Sequence, residues 1–293
     1  MGKEEPSFIS TLRIAILGLG LMGGSLALAL RGKCTALIGF DTDPQTLELA
    51  RQRQIVDLAS TEPAELLPQA DVVILATPVN TIIENLQELP RHHPGPAIVL
   101  DLGSTKARVV EAMQRLPERF DPLGGHPMCG KERSGLANAD PQLFQEAVFA
   151  FTPLARTSSR ARTFAEGLAW QVGAHPLWLD PHTHDRWVAA TSHLPYLVAN
   201  ALAFSTPGEA APLAGPGYRS TTRLAQTSPG MMLDVLMTNR ENILDASGRL
   251  RAHLDLLDEL LQRGDFEALL SFLRRGTDRQ HEIVETSERG ETQ

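Results

Sequence analysis

The segment from Leu12 to Gly32, LRIAILGLGLMGGSLALALRG, constrains the fold more than any other part of the chain. A short apolar run reads as a buried parallel strand, and the Leu-Ala run after it reads as a helix. Between them Gly18, Gly20 and Gly23 form G-x-G-x-x-G. In that setting the first glycine permits a tight turn, the second admits a pyrophosphate, and the third allows helix and strand to pack closely. The helix N-terminus supplies free N–H groups and a favourable dipole for phosphate. Gly18, Gly20, Leu21, Met22 and Gly23 are therefore the candidate dinucleotide turn.

The next apolar run, ALIGFD, ends at Asp41, placed to accept from a ribose 2′-hydroxyl and to repel a 2′-phosphate. That favours NAD over NADP. Asp43 competes for the role, and either carboxylate can instead cap the helix that starts near DPQTLELARQ. Two further strands are read in ADVVILATPV, residues 70–79, and AIVLDLGSTK, residues 97–106, and two more in AVFAFTPLA and GAHPLWLD. Strands alternating with helical patterns predict an α/β fold with a right-handed, Rossmann-like doubly wound sheet. Ligands bind beyond the carboxyl ends of such strands, where Thr77, Pro78, Gly103 and Ser104 fall.

Beyond Asp180 the β signal stops and the pattern turns helical, with long apolar-periodic stretches at 231–247 and 249–274. The expected organisation is a nucleotide-binding domain over 12–179, an all-α domain over 180–284, and flexible tails at 1–11 and 285–293. The helices carry long apolar stripes that a half of this size does not bury alone, so dimerisation through the helical domain is expected. With 42% hydrophobic and 21% charged residues in 293, the chain is of ordinary globular composition and long enough for two domains. Its net charge of -8 argues against nucleic acid or an acidic membrane as partner. The N-terminus has no apolar run resembling a signal peptide, and no later run is long enough to span a bilayer. With only Cys34 and Cys129 there is neither a disulfide framework nor a cysteine zinc site, and a cytoplasmic protein is expected.

The segment DPLGGHPMCGKERSG, residues 121–135, sets a histidine between two glycines and a proline. Those neighbours disfavour a helix or a central strand, so His126 is expected on a loop of fixed shape, presenting an imidazole for chemistry. In SHLPY, Pro195 removes a helical N–H and is expected to kink the helix beside His193, freeing the carbonyl of Thr191. His182, His184 and Asp185 have the spacing of a metal site, but a helix N-terminus with exposed imidazoles is the favoured interpretation and no metal is expected.

Taken together, GLGLMGGSLA, DLGSTK, GGHPMCGKERSG, HDRWVAATSHLP and YRSTTRLAQTSP resemble, in order and spacing over about residues 12–280, the prephenate/arogenate dehydrogenase family of tyrosine biosynthesis. The resemblance implies NAD-dependent oxidation of a cyclohexadienol with loss of its ring carboxylate, and a helical domain that pairs two subunits. It also implies that His126 takes the proton of the reacting hydroxyl, that Ser104 bonds that hydroxyl and orients the histidine, and that Arg223, with Arg219 one turn earlier, grips a substrate carboxylate. His193 is then a pocket residue, and Glu132 lies near the substrate side chain, where a carboxylate bears on the choice between the keto acid prephenate and the amino acid arogenate. Prephenate is the favoured substrate. Where the family often has an aromatic residue, this chain has Met232 nearby.

Two other functions fit parts of the sequence. β-Hydroxyacid dehydrogenases and imine reductases share the glycine turn, but their lysine has no counterpart, because no lysine follows Lys131. A non-enzymatic NAD(H) sensor would not need His126, Ser104 and an arginine together.

Overall fold

The computed structural model describes residues 8–131 and 133–289. Among these, eight strands form one sheet. They are β1 (Arg13–Leu17), β2 (Ala36–Phe40), β3 (Leu58–Ser60), β4 (Val72–Leu75), β5 (Ala97–Asp101), β6 (Phe120–Pro127), β7 (Val148–Pro153) and β8 (His175–Trp178). Their spatial order is 3-2-1-4-5-6-7-8. The first six run parallel, β7 is antiparallel to β6, and β8 is parallel to β7.

Alternation along the central strands divides the core into two layers. Ile14 and Ile16 of β1 pack with Leu26 and Leu30 of the Leu21–Leu30 helix and with Phe164 and Leu168 of the Ser159–Gln171 helix. Ala15 and Leu17 face the opposite way, toward Ile82 and Leu86 of the Val79–His92 helix and Val109 and Met113 of the Ala107–Gln114 helix. The chain reverses its strand order between β1 and β4. Ligands of doubly wound sheets bind at that crevice.

Two compact units are distinguished, Met1–Asn239 and Arg240–Gln293. The first holds the sheet and also the helices Pro181–Val188, Leu194–Ser205, Pro216–Thr222 and Pro229–Thr238. The last of these is tied to the Val79–His92 helix by paired bonds from Asn80 N and Nδ2 to Asp234, at 3.3 and 2.8 Å, and to the loop after β5 by Thr105 Oγ1 to Thr238 Oγ1 at 2.8 Å. The second unit contains the helices Arg240–Arg263 and Phe266–Arg289. No helix among the described residues is long and apolar enough to cross a membrane.

Four local expectations are corrected. His126 lies inside β6, paired with Ala150 of β7, and not on a loop. Its glycines serve close packing: a Cβ at Gly124 would stand 2.2 Å from Thr152 Oγ1, and one at Gly125 would stand 2.7 Å from the carbonyl of Asp101. Residues 8–11 form a 3-10 turn whose Ile9 is buried, and residues 285–289 continue a helix, so the described parts of both expected tails carry regular structure. The stretch 249–274 is two helices, broken at Gly264 (φ 65°), after which Asp265 accepts from Ala268 N at 3.0 Å as an N-cap. Asp180 caps the Pro181–Val188 helix, and of the imidazoles that follow, His182 is exposed while His184 and its neighbour Asp185 are buried.

Candidate active site

The glycine turn is held from below. Gly18 has φ 95°, and a Cβ there would meet the carbonyl of Ala76 at 2.8 Å; a Cβ at Gly23 would lie 1.9 Å from the carbonyl of Gly18. At Gly20 a Cβ would meet nothing within 4 Å. The protein itself therefore demands glycine at two positions and leaves the third open toward a ligand. Gly20 is also the N-cap of the Leu21–Leu30 helix and makes no side-chain cap bond. Asp41, just past β2, accepts from Leu19 N at 2.9 Å and from Asp43 N at 3.0 Å, which fixes a carboxylate beside the turn. Asp43 is spent on its helix, accepting from Gln45 N and Thr46 N.

A cavity of about 330 Å³ opens over this turn, lined by Gly20, Leu21, Met22, Thr77, Pro78 and Ser104 among others. A second, of about 470 Å³, adjoins it and is lined by Arg223, His193, Tyr196 and Met232. Ser104 and His126 line both. The open glycine and the uncapped helix N-terminus fit the phosphates of a dinucleotide in the first cavity, and Asp41, beside the turn but outside that cavity's lining, fits its ribose.

His126 reaches the shared wall because β6 outruns its parallel neighbour: pairing with β5 ends at Leu100 opposite Leu123, while β7 continues to Pro127. Below it, Asp101 accepts from Gly103 N at 2.8 Å and Gly125 N at 3.1 Å and is ion-paired to Lys106, whose Nζ also donates to the Gly125 carbonyl at 2.6 Å. Burial raises the Asp101 carboxyl and lowers the Lys106 ammonium, and each charge opposes the other's shift. This pair joins the Gly103–Ser104 loop to the strand carrying His126. Burial, followed by the charges of His184, Lys106 and His193, holds the His126 imidazole well below its ordinary range.

His193 closes a π-helical turn, Ala189–His193, two residues before Pro195 of the next helix. This turn stands where the sequence suggested a kink. Its Nδ1 lies 3.2 Å from Asn239 Nδ2, and its buried Nε2 has no hydrogen-bond partner among the described residues. Burial lowers its pKa to about 4, against the opposing charge of Asp185. Cys129 shares the wall, but burial pushes its thiol up to about 12, which leaves it a poor nucleophile.

Of the residues singled out from the sequence, Ser104, His126, His193 and Arg223 are brought together at one cavity. Arg219 is turned elsewhere, its Nε donating to the Ala214 carbonyl at 3.2 Å, and it does not line the cavity. Glu132 lies outside the described residues. Sequence reasoning passed over Asp101 and Lys106, although DLGSTK contains both, and over Tyr196 and Asn239, and it took His184 for an exposed imidazole at a helix start.

Residues 26–177 match the family model of the prephenate dehydrogenase nucleotide-binding domain, and residues 180–275 match that of the prephenate dehydrogenase dimerization domain. The chain belongs to the prephenate dehydrogenase family. Prephenate dehydrogenase of Bacillus subtilis is 34% identical over 279 residues, covering 90% of this chain and 74% of that protein. The crystal structure of the Aquifex aeolicus prephenate dehydrogenase with hydroxyphenyl propionate and NAD+ superposes with a TM-score of 0.87 at 30% identity, over 94% of this chain and 99% of the other. Synechocystis arogenate dehydrogenase gives a TM-score of 0.79 at 30% identity, over 92% and 99%.

Proposed function

We propose that this chain is an NAD-dependent prephenate dehydrogenase that converts prephenate to 4-hydroxyphenylpyruvate. The observation that carries the proposal is the wall shared by two cavities: Ser104 and His126 stand between the glycine turn on one side and Arg223 and His193 on the other. NAD+, when bound, accepts the hydride from the ring carbon that bears the hydroxyl.

His126, neutral because it is buried, takes the hydroxyl proton as the carbon–oxygen double bond forms. Ser104 holds the same hydroxyl. The carbon–carbon bond to the ring carboxylate then breaks and carbon dioxide leaves; the bond's electrons enter the ring and reach its oxygen, which takes the proton back from His126. Aromatisation drives that loss, so no strong acid is required of the protein. Arg223 offers a planar, permanently charged fork to a carboxylate, and the Nε2 of His193, without a partner among the described residues, completes the polar wall. Gly18, Gly20, Leu21, Met22, Gly23, Asp41, Thr77 and Pro78 are assigned to the cofactor, and Glu132 to the substrate side chain.

We assign residues 12–179 to nucleotide binding and 180–284 to substrate binding and pairing of two copies. A cytoplasmic home is proposed as well, supported by Cys34 and Cys129 both being unpaired thiols. Arogenate is the second substrate reading, favoured by the likeness to the Synechocystis enzyme.

The test follows NADH or NADPH formation with prephenate and arogenate in parallel, each with NAD+ and NADP+. Prephenate with NAD+ is expected to turn over fastest, and His126→Ala to lower kcat by about 10²- to 10⁴-fold while NAD+ still binds. Absence of turnover with either substrate and either cofactor would reject the activity.

A further inference from the structure

His184 lines neither cavity, yet its ring meets the ring that lines both. His126 Nδ1 lies 2.9 Å from His184 Nε2, and His184 Nδ1 lies 2.9 Å from Asp185 Oδ1. The two rings cross at 66° with their centroids 5.1 Å apart. Asp185 is fixed in turn at the start of the Ala107–Gln114 helix, its Oδ1 accepting from Lys106 N at 2.7 Å and its Oδ2 from Ala107 N at 2.9 Å. Its backbone carbonyl accepts from Asn239 Nδ2 at 2.7 Å. His184 and Asp185 are each 1% exposed, so water does not compete for these bonds.

Hydrogen-bond accounting sets the protons. A carboxylate only accepts, so the proton between Asp185 and His184 belongs to His184 Nδ1. A neutral ring with its proton there has a lone pair on Nε2, which can only accept. His126 must then donate from Nδ1, and its own lone pair is left on Nε2.

We infer that His184 and Asp185 are positioning residues that hold His126 in the tautomer whose Nε2 is free to take the substrate proton. The inference deepens the proposed dehydrogenase reaction and rests on it for its kinetic arm. Unconstrained histidine prefers its proton on Nε2, which would turn a donor toward the hydroxyl, so the relay selects the less favoured form. The arrangement parallels the orienting carboxylate of a serine-protease triad, where loss of the correct tautomer costs about 10⁴-fold in kcat.

Two variants and one spectrum test the inference. Nitrogen NMR of the histidine-labelled full chain at neutral pH should show His126 protonated at Nδ1 and bare at Nε2. His184→Leu, which removes the acceptor, should move that proton to Nε2 and lower kcat by about 10- to 100-fold with the KM for NAD+ unchanged. His184→Gln keeps an acceptor facing Nδ1 and should restore the native tautomer and most of the rate. A packing role alone predicts no tautomer change and no difference between the two variants. A wild-type His126 protonated at Nε2 would overturn the inference, as would a glutamine variant no better than leucine. The wild-type spectrum decides even if the leucine variant does not fold. If the tautomer is as assigned but no substrate turns over, the dehydrogenase proposal fails and the relay stands.

Discussion

Burial is the first cause of the lowered basicity of both His126 and His193, and it has consequences for rate and for stability. Because the His126 ring is already neutral well below the ordinary histidine range, kcat/KM should show no acid limb near pH 6.5, the usual histidine value. A rate profile that halves close to that pH would contradict the assignment of His126 as base. Stability depends also on the unfolded chain, where both rings take up protons near their ordinary pKa of about 6.5. The folded chain does not follow, since His193 titrates at about 4 and His126 is held well below 6.5. The unfolded state therefore binds more protons, and stability falls as pH drops below about 6.5, by on the order of 1.4 kcal/mol per pH unit for each ring. Urea denaturation at about pH 7 and pH 5 measures this directly. His193→Asn should remove one ring's share of the slope, about 1.4 kcal/mol per unit.

Among the elements, β6 shows where the sequence was legible and where it was not. Strands β1, β2, β4 and β5 announce themselves as apolar runs, and their order with the intervening helices yields the doubly wound sheet and the position of the glycine turn. The run FDPLGGHP looks like a loop because its glycines and prolines carry low strand propensity. The contacts that override propensity are distant in the chain: Thr152 and the Asp101 backbone crowd positions where only glycine fits. His184 was misjudged for a related reason, since its bond to His126 spans 58 residues and no local spacing encodes it. Ser104, His126, His193 and Arg223, by contrast, each sit in a short motif, and the structure gathers them at one cavity.

The glycine turn itself yields a paired prediction at this scale. Gly23→Ala forces a Cβ to within 1.9 Å of backbone and should cost about 1–3 kcal/mol, read as a lowered urea midpoint. Gly20→Ala meets no protein atom within 4 Å, so its stability should hold while its KM for NAD+ rises. Equal destabilisation by the two substitutions would mean that Gly20 serves packing and not the cofactor.

For the whole molecule, the surface left apolar is the remaining question. Leu254 and Leu261 stand seven residues apart on the Arg240–Arg263 helix and are 49% and 56% exposed; Leu270 and Leu273 on the next helix are 48% and 53% exposed. Seven residues are close to two helical turns, so Leu254 and Leu261 share one face. Two copies that each carry a net charge of -8 repel one another, so association must be driven by such apolar surface. The family's dimerization domain matches residues 180–275, a range that contains all four leucines. Homodimerisation through the helical half remains our proposal, and sedimentation tests it. The wild type should run at twice the 31.9 kDa chain mass, and Leu254→Glu with Leu261→Glu should shift it toward a single chain. The described residues that line the two cavities all precede residue 240, so the dissociated variant should keep its affinity for NAD+. A wild type that sediments as one chain would reject pairing altogether. A variant that stays paired would move the interface to other exposed apolar residues, of which Phe204 and Leu213, 96% and 89% exposed, are the first to substitute.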